Sequence, residues 1–157
     1  MLQTATFGAG CFWGVEALFA QQPGVIKTSV GYMGGKNSNP TYQEVCTGTT
    51  DHAEVIQLEF SDYTITYEQL LQLFWANHDP TTLNRQGPDM GTQYRSVVFY
   101  HSQAQRVEAE ALLQQLQNSG YFPAPIVTAI EAAQEYWLAE EYHQQYLAKR
   151  QRSSCRF

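Results

Sequence analysis

The chain opens on a short alternating run, Leu2 to Phe7, which predicts a strand. Phe12, Val15, Leu18 and Phe19 then recur at helical spacing, so the period changes across Gly8-Ala9-Gly10-Cys11. Val25 to Tyr32 predicts a second strand, ended by Gly34-Gly35. Asn37 to Pro40 is turn-rich, and Thr41 to Cys46 has room for one or two helical turns. Val55 to Phe60 alternates cleanly, with Ile56, Leu58 and Phe60 on one face and Gln57 and Glu59 on the other. Thr66-Tyr67-Glu68-Gln69 is a capping box, followed by an apolar stripe of Leu70, Leu71, Phe74 and Trp75. From Asp79 to Tyr94 there is no period, and a loop of that length in a compact domain is usually functional or disordered.

Ser96 to Tyr100 is a β-prone run, and Ser102 with Gln105 makes a second capping box for a helix reaching Asn118 and stopped by Gly120. Ile126 to Ile130 is a candidate fifth strand, Leu138 to Arg150 reads as a helix, and residues 151–157 read as a polar tail carrying Cys155. Residues 1–150 therefore read as one domain. Strands and helices are mixed with several short crossovers, which predicts an α+β sandwich.

Composition narrows the function. With 157 residues, 43% hydrophobic and 15% charged, the chain suits a single globular core. A net charge of −6 argues against nucleic acid or an anionic membrane as the main partner, and no run approaches a membrane span. The strand begins almost at the N-terminus, so no targeting segment is expected, and three widely spaced cysteines suit a reducing cytoplasm.

Cys11 sits at a strand-to-helix corner, where the positive end of the helix dipole favours the thiolate. At an unperturbed pKa near 8.5, only about 3% of a thiol is ionised at pH 7. Stabilising the anion by ~1 kcal/mol lifts that share to roughly one in seven, so a good nucleophile here needs a further partner. Glu54 opens the alternating strand beside a loop of small polar residues; half buried there, its pKa rises and it can act as an acid. Ionised, it would oppose a Cys11 thiolate; protonated, it would not, and the two would titrate as a pair.

Two other motifs are weaker. Gly8-Ala9-Gly10 with Gly14 approaches a dinucleotide fingerprint, but the spacing is off by one, Phe12 and Trp13 are bulky where a pyrophosphate needs bare backbone, and no acidic residue ends the second strand. His52-Ala53-Glu54 is half of a zinc deaminase signature whose Pro-Cys-x-x-Cys half is absent, and no Cys/His spacing matches a structural zinc site. No metal and no bound cofactor are expected.

Taken together, the motifs resemble the A class of peptide methionine sulfoxide reductases over nearly the whole chain. The resemblance rests on Gly10-Cys11-Phe12-Trp13-Gly14, Gly31-Tyr32-Met33-Gly34-Gly35, Asn39-Pro40-Thr41-Tyr42 and His52-Ala53-Glu54. It continues through His78-Asp79-Pro80-Thr81, Arg85-Gln86-Gly87, Gly91-Thr92-Gln93-Tyr94-Arg95-Ser96 and Ala139-Glu140-Glu141-Tyr142-His143-Gln144-Gln145-Tyr146, the last as a C-terminal helix. It implies a two-layer α/β sandwich with a mixed sheet and a ferredoxin-like core. It also implies reduction of the S epimer of methionine sulfoxide, free or in peptides.

By that resemblance, Cys11 is the nucleophile, Phe12 and Trp13 wall a pocket for the substrate methyl, and Glu54 protonates the sulfoxide oxygen. Tyr42 and Tyr94 hydrogen-bond that oxygen, and Asp89 organises the loop and water. The sulfenic acid left on Cys11 then condenses with Cys155, whose flanking arginines favour its thiolate, and thioredoxin reduces the disulfide. Cys46 is the other candidate resolving thiol, although its position reads as packing. Some relatives carry two tail cysteines; this chain has one, which points to direct reduction of a Cys11–Cys155 bond. Outside that family, the residues also allow a dinucleotide-dependent oxidoreductase resting on the glycines, or a non-catalytic module binding methionine peptides through Phe12, Trp13 and the tyrosines.

Overall fold

In the computed structural model, which describes residues 1–149, the period change at the N-terminus becomes strand β1 (Leu2–Ala9) followed by helix α1 (Phe12–Ala20). The order continues β2 (Val25–Met33), α2 (Tyr42–Cys46), β3 (Ala53–Ser61), α3 (Tyr67–Ala76), β4 (Arg85–Gln86), β5 (Asp89–Met90), β6 (Ser96–Tyr100) and α4 (Gln103–Ser119). It ends with β7 (Ala129–Ala132), β8 (Trp137–Leu138) and α5 (Tyr146–Lys149). Six strands form one mixed sheet in the order β7-β6-β1-β3-β2-β8, in which only β6 and β7 run parallel. β4 and β5 form a separate small hairpin.

The alternation of β3 decides which face is covered. Ile56, Leu58 and Phe60 pack with Ala5, Phe7 and Val98 beneath α1, α3 and α4. Phe7 lies at the centre, its ring 5.3 Å from Phe19 and 5.2 Å from Phe74. The opposite face is apolar only where Val55, Val97 and Phe99 meet Ala129, Ala133 and Tyr136; elsewhere it carries polar pairs such as Thr6 with His101. Among the described residues no helix is long and apolar enough to cross a membrane.

Both halves of the predicted capping box at α3 are present, with Thr66 Oγ1 accepting from Gln69 N–H and Gln69 answering to Thr66 N–H. At α4 only half of the box forms. Ser102 Oγ accepts from Gln105 N–H, but the Gln105 oxygen takes the N–H of His101 instead.

Two expectations need correction, at residues 126–130 and 138–150, and the alternative left open for residues 79–94, functional or disordered, falls to order. The candidate strand at Ile126 to Ile130 begins three residues later, at Ala129, because the Thr128 hydroxyl is committed to Trp75 and Ser96. The 79–94 loop is ordered: Asp79 caps the Thr81 N–H, β4 and β5 pair, and Thr92–Tyr94 forms a 3-10 turn. The helix expected over Leu138 to Arg150 is not continuous: among the described residues, only α5 at its end is α-helical. Strand β8 gives way to a 3-10 turn at Glu141–His143, and Gln145 adopts φ +55. Side chains there bind the sheet one by one instead: the Gln144 amide takes both the N–H and the C=O of Val30, each at 2.9 Å. Those bonds hold an edge that a continuous helix would have to abandon.

Candidate active site

Cys11 occupies the N-cap of α1, where the first-turn N–H groups lack helical partners. The corner depends on Gly10: its φ is +92, and a Cβ there would come within 2.9 Å of Gln86. Gln86 is in turn fixed by accepting from Asp79 N–H at 2.9 Å and donating to Asp79 O. The loop is thus clamped onto the corner, and the space over Gly10 that a pyrophosphate would need is filled by Gln86. Cys11 is half-exposed.

Glu54 lies opposite. It is in phase with Ile56, Leu58 and Phe60, so the strand register carries it under α1, where it is only 1% exposed. Oε1 accepts the Phe12 N–H at 3.2 Å, tying β3 to the start of α1. Oε2 is buried with no hydrogen-bond partner among the described residues. Burial raises the Glu54 pKa well above the usual carboxylate value; the field of Cys11 raises it further, against the Phe12 hydrogen bond, and Asp89 adds a smaller push. A buried acid that keeps its proton stands beside the thiol.

Three more predicted residues share this site. Tyr42 and Tyr94 are half-buried; burial, with the field of Glu54, holds both phenols protonated far above their ordinary range, and Cys11 also acts on Tyr94. Asp89, on the small hairpin, has a buried Oδ2 without a partner among the described residues, and burial raises its pKa. Phe12 is buried against Tyr32 and Tyr42, at 5.8 and 6.3 Å between ring centres. Trp13 is half-buried and stacked on Tyr146 at 3.8 Å and 7°. Cys155 falls outside the described residues.

The family profile for peptide methionine sulfoxide reductase matches residues 3–157. The chain belongs to that family. Peptide methionine sulfoxide reductase MsrA of Methanoculleus marisnigri is 60% identical over 99% of this chain and 94% of its own. Among solved structures, reduced Mxr1 from Saccharomyces cerevisiae superposes with a TM-score of 0.91 at 38% identity, covering 98% of this chain and 88% of that one. Mxr1 in complex with Trx2 superposes with a TM-score of 0.65 at 26% identity, over 92% and 84% of the two chains.

Two residues of this methionine sulfoxide reductase to which the sequence assigned no role support the site. Glu140 accepts from the Tyr32 hydroxyl and from Tyr42 N–H, both at 2.9 Å, and so fixes the start of α2. Burial opposes its charge, but the bonds from Tyr42, its own N–H and Tyr32 outweigh that and hold its pKa low. Glu16, 1% exposed, accepts from Gln145 N–H, the Gln145 amide and the Thr28 hydroxyl, which holds the C-terminal segment onto α1. The sequence signal for Glu16 was a charge in phase with the apolar stripe of α1, and for Glu140 its place in the run Ala139 to Tyr146.

Cys46 is exposed rather than packed, a correction to the expectation. Its thiol hydrogen-bonds the Tyr42 hydroxyl one turn earlier; partial burial of the sulfur nevertheless raises its pKa, helped by Glu54. His52 is structural: Nδ1 accepts from Gly35 N–H and Nε2 donates to Asn37 O, which holds the 34–40 turn. Among the described residues no group of three or more His, Cys, Asp or Glu side chains is placed to hold a metal ion.

Proposed function

We propose that the chain is a thiol-dependent reductase of the S epimer of methionine sulfoxide, free or in peptides, with Cys11 as nucleophile and Glu54 as acid. The observation that carries this reading is the buried Glu54 carboxyl, its pKa raised and one oxygen unpartnered, set against Cys11. Two anions so close are unfavourable, so the pair holds one charge; a thiolate with a neutral carboxylic acid is the form that both attacks and protonates. The Cys11 sulfur attacks the sulfoxide sulfur while Glu54 donates to the sulfoxide oxygen. Tyr42 and Tyr94 donate hydrogen bonds to that oxygen as charge develops on it. The Tyr42 hydroxyl first leaves Cys46 to do so.

Phe12 and Trp13 take the substrate methyl, and Asp89 orders water and the loop. In the adduct so formed the protonated oxygen passes from the methionine sulfur to the Cys11 sulfur as the S–S bond and the old S–O bond break. The methionine sulfur is reduced by two electrons and leaves, and Cys11, oxidised by two, is left as a sulfenic acid. The Cys155 thiol displaces it as water, forming a Cys11–Cys155 disulfide, which a thioredoxin dithiol reduces by exchange. The complex of Mxr1 with Trx2 supports thioredoxin as the reductant. No bound cofactor enters these steps, and neither nucleic acid nor membrane is a partner. Cys46 offers a second reading for the resolving thiol, since it shares Glu54 and Tyr94 as neighbours with Cys11.

Residues 1–150 form the catalytic domain, 151–157 its tail, and the cytoplasm is the compartment. The order β6-β1-β3-β2, with α1 and α3 as the crossovers, supports a β-α-β-β-α-β ferredoxin-like core in a two-layer sandwich. The test is stoichiometry: without added reductant, the enzyme makes about one methionine per chain and loses roughly two thiols. A module that merely binds methionine peptides makes none, and that result would overturn the reading.

A further inference from the structure

His143 lies behind the two aromatic walls, is fully buried, and has no role in the steps above. Its Nδ1 accepts the Trp13 indole N–H at 2.9 Å. An indole nitrogen only donates, so Nδ1 is the bare nitrogen and the ring proton sits on Nε2. The ring is boxed by Phe12 at 5.2 Å, Trp13 at 5.6 Å, Tyr42 at 4.3 Å and Tyr142 at 4.1 Å between centres. Nε2 is buried and makes no hydrogen bond among the described residues. A buried N–H without a partner is destabilising, and a phenylalanine would fill the same space without it. What histidine adds over phenylalanine at this position is the acceptor for Trp13.

Trp13 needs that acceptor. Tyr146 covers one indole face at 3.8 Å, but stacking leaves the ring free to slide in its own plane. A bond from the indole edge removes that freedom. We propose that His143 is the positioning residue that fixes the Trp13 ring, and through it the affinity for the methyl group of methionine sulfoxide. The proposal rests on Trp13 being a wall of the methyl pocket.

The test uses the full-length enzyme with a peptide S-sulfoxide in single-turnover experiments, which separate half-saturation from the limiting rate. His143→Phe keeps an aromatic ring but removes the acceptor. Half-saturation rises about tenfold, the size of one lost hydrogen bond, while the limiting rate changes far less. His143→Asn places an oxygen near the position of Nδ1 and restores most of the affinity. The three indole N–H resonances, with Trp13 assigned from Trp13→Phe, report the bond directly: the Trp13 signal moves in the phenylalanine variant and returns toward wild type with asparagine. Unchanged half-saturation in His143→Phe, or equal losses in the phenylalanine and asparagine variants, overturns the proposal. If Trp13→Phe itself leaves half-saturation unchanged, the wall assignment fails and takes the affinity claim with it, and the indole signal then shows whether the bond exists.

Discussion

Replacing Glu54 by glutamine removes one proton and little else. The amide has the volume of the carboxyl and keeps an oxygen for the Phe12 N–H now at 3.2 Å from Oε1. What disappears is the acid for the sulfoxide oxygen. General acids typically contribute 10²–10⁴-fold, so the first step should slow by about that factor, equivalent to roughly 3–5 kcal/mol on the barrier. Stability should move the other way. Burial raises the Glu54 pKa in the folded protein, so between the unfolded value of about 4.3 and the raised folded value the native state holds a proton that the unfolded chain has released. The contribution of Glu54 to stability is therefore full below the unfolded pKa and is lost as pH rises through the folded one. Glutamine does not titrate, so the Tm advantage of Glu54→Gln over wild type should grow from pH 4 toward neutrality. Rapid-quench measurement of methionine formed in one turnover reads the rate, and thermal unfolding across pH reads the stability. An unchanged single-turnover rate, or a Tm difference independent of pH, would refute the assignment of Glu54 as a buried, protonated acid.

Cys155→Ser should complete one turnover at the wild-type rate but fail to recycle with thioredoxin; normal recycling in a thioredoxin-coupled assay would transfer the resolving role to Cys46 or an external thiol. Phe12→Ala empties a buried site between Tyr32 and Tyr42 and should destabilise the fold by about 3–5 kcal/mol in denaturant titrations, besides weakening substrate binding. Burial pushes His78 down to about 4, and neutral His78 links Phe74 O to the Ser96 hydroxyl. Since the unfolded chain binds that proton first, the associated stability is complete above pH 6.5 and falls by about 3 kcal/mol as pH drops to 4. His78→Gln should flatten that part of the stability profile.

The strands with clean alternation were legible because one face of the sheet is covered and the other largely wet: β1 and β3 follow their apolar phase residue by residue. Cys11 was legible for a different reason, since a period change across Gly10 forces a corner. The depth of Glu54 was not evident from its place at a strand mouth, although its phase with Ile56, Leu58 and Phe60 carried the information. Residues 138–149 misled because apolar spacing there is imitated by side chains serving separate partners: Glu140 for Tyr32 and Tyr42, His143 for Trp13, Gln144 for Val30 and Gln145 for Glu16. Such bonds span about a hundred residues of sequence or more, and no local pattern encodes them. The 79–94 loop is similar. Its order comes from Gln86 gripping Asp79 and from Pro80 O receiving Val127 N–H, contacts without a period.

The central claim is that the Cys11 sulfur receives the oxygen. Cys155→Ser enzyme given one equivalent of S-sulfoxide peptide, with a sulfenic acid trap and no reductant, isolates that event for mass spectrometry. The account predicts about one methionine per chain and the trap on the Cys11 peptide alone. Methionine formed with the Cys11 peptide unmodified would contradict it.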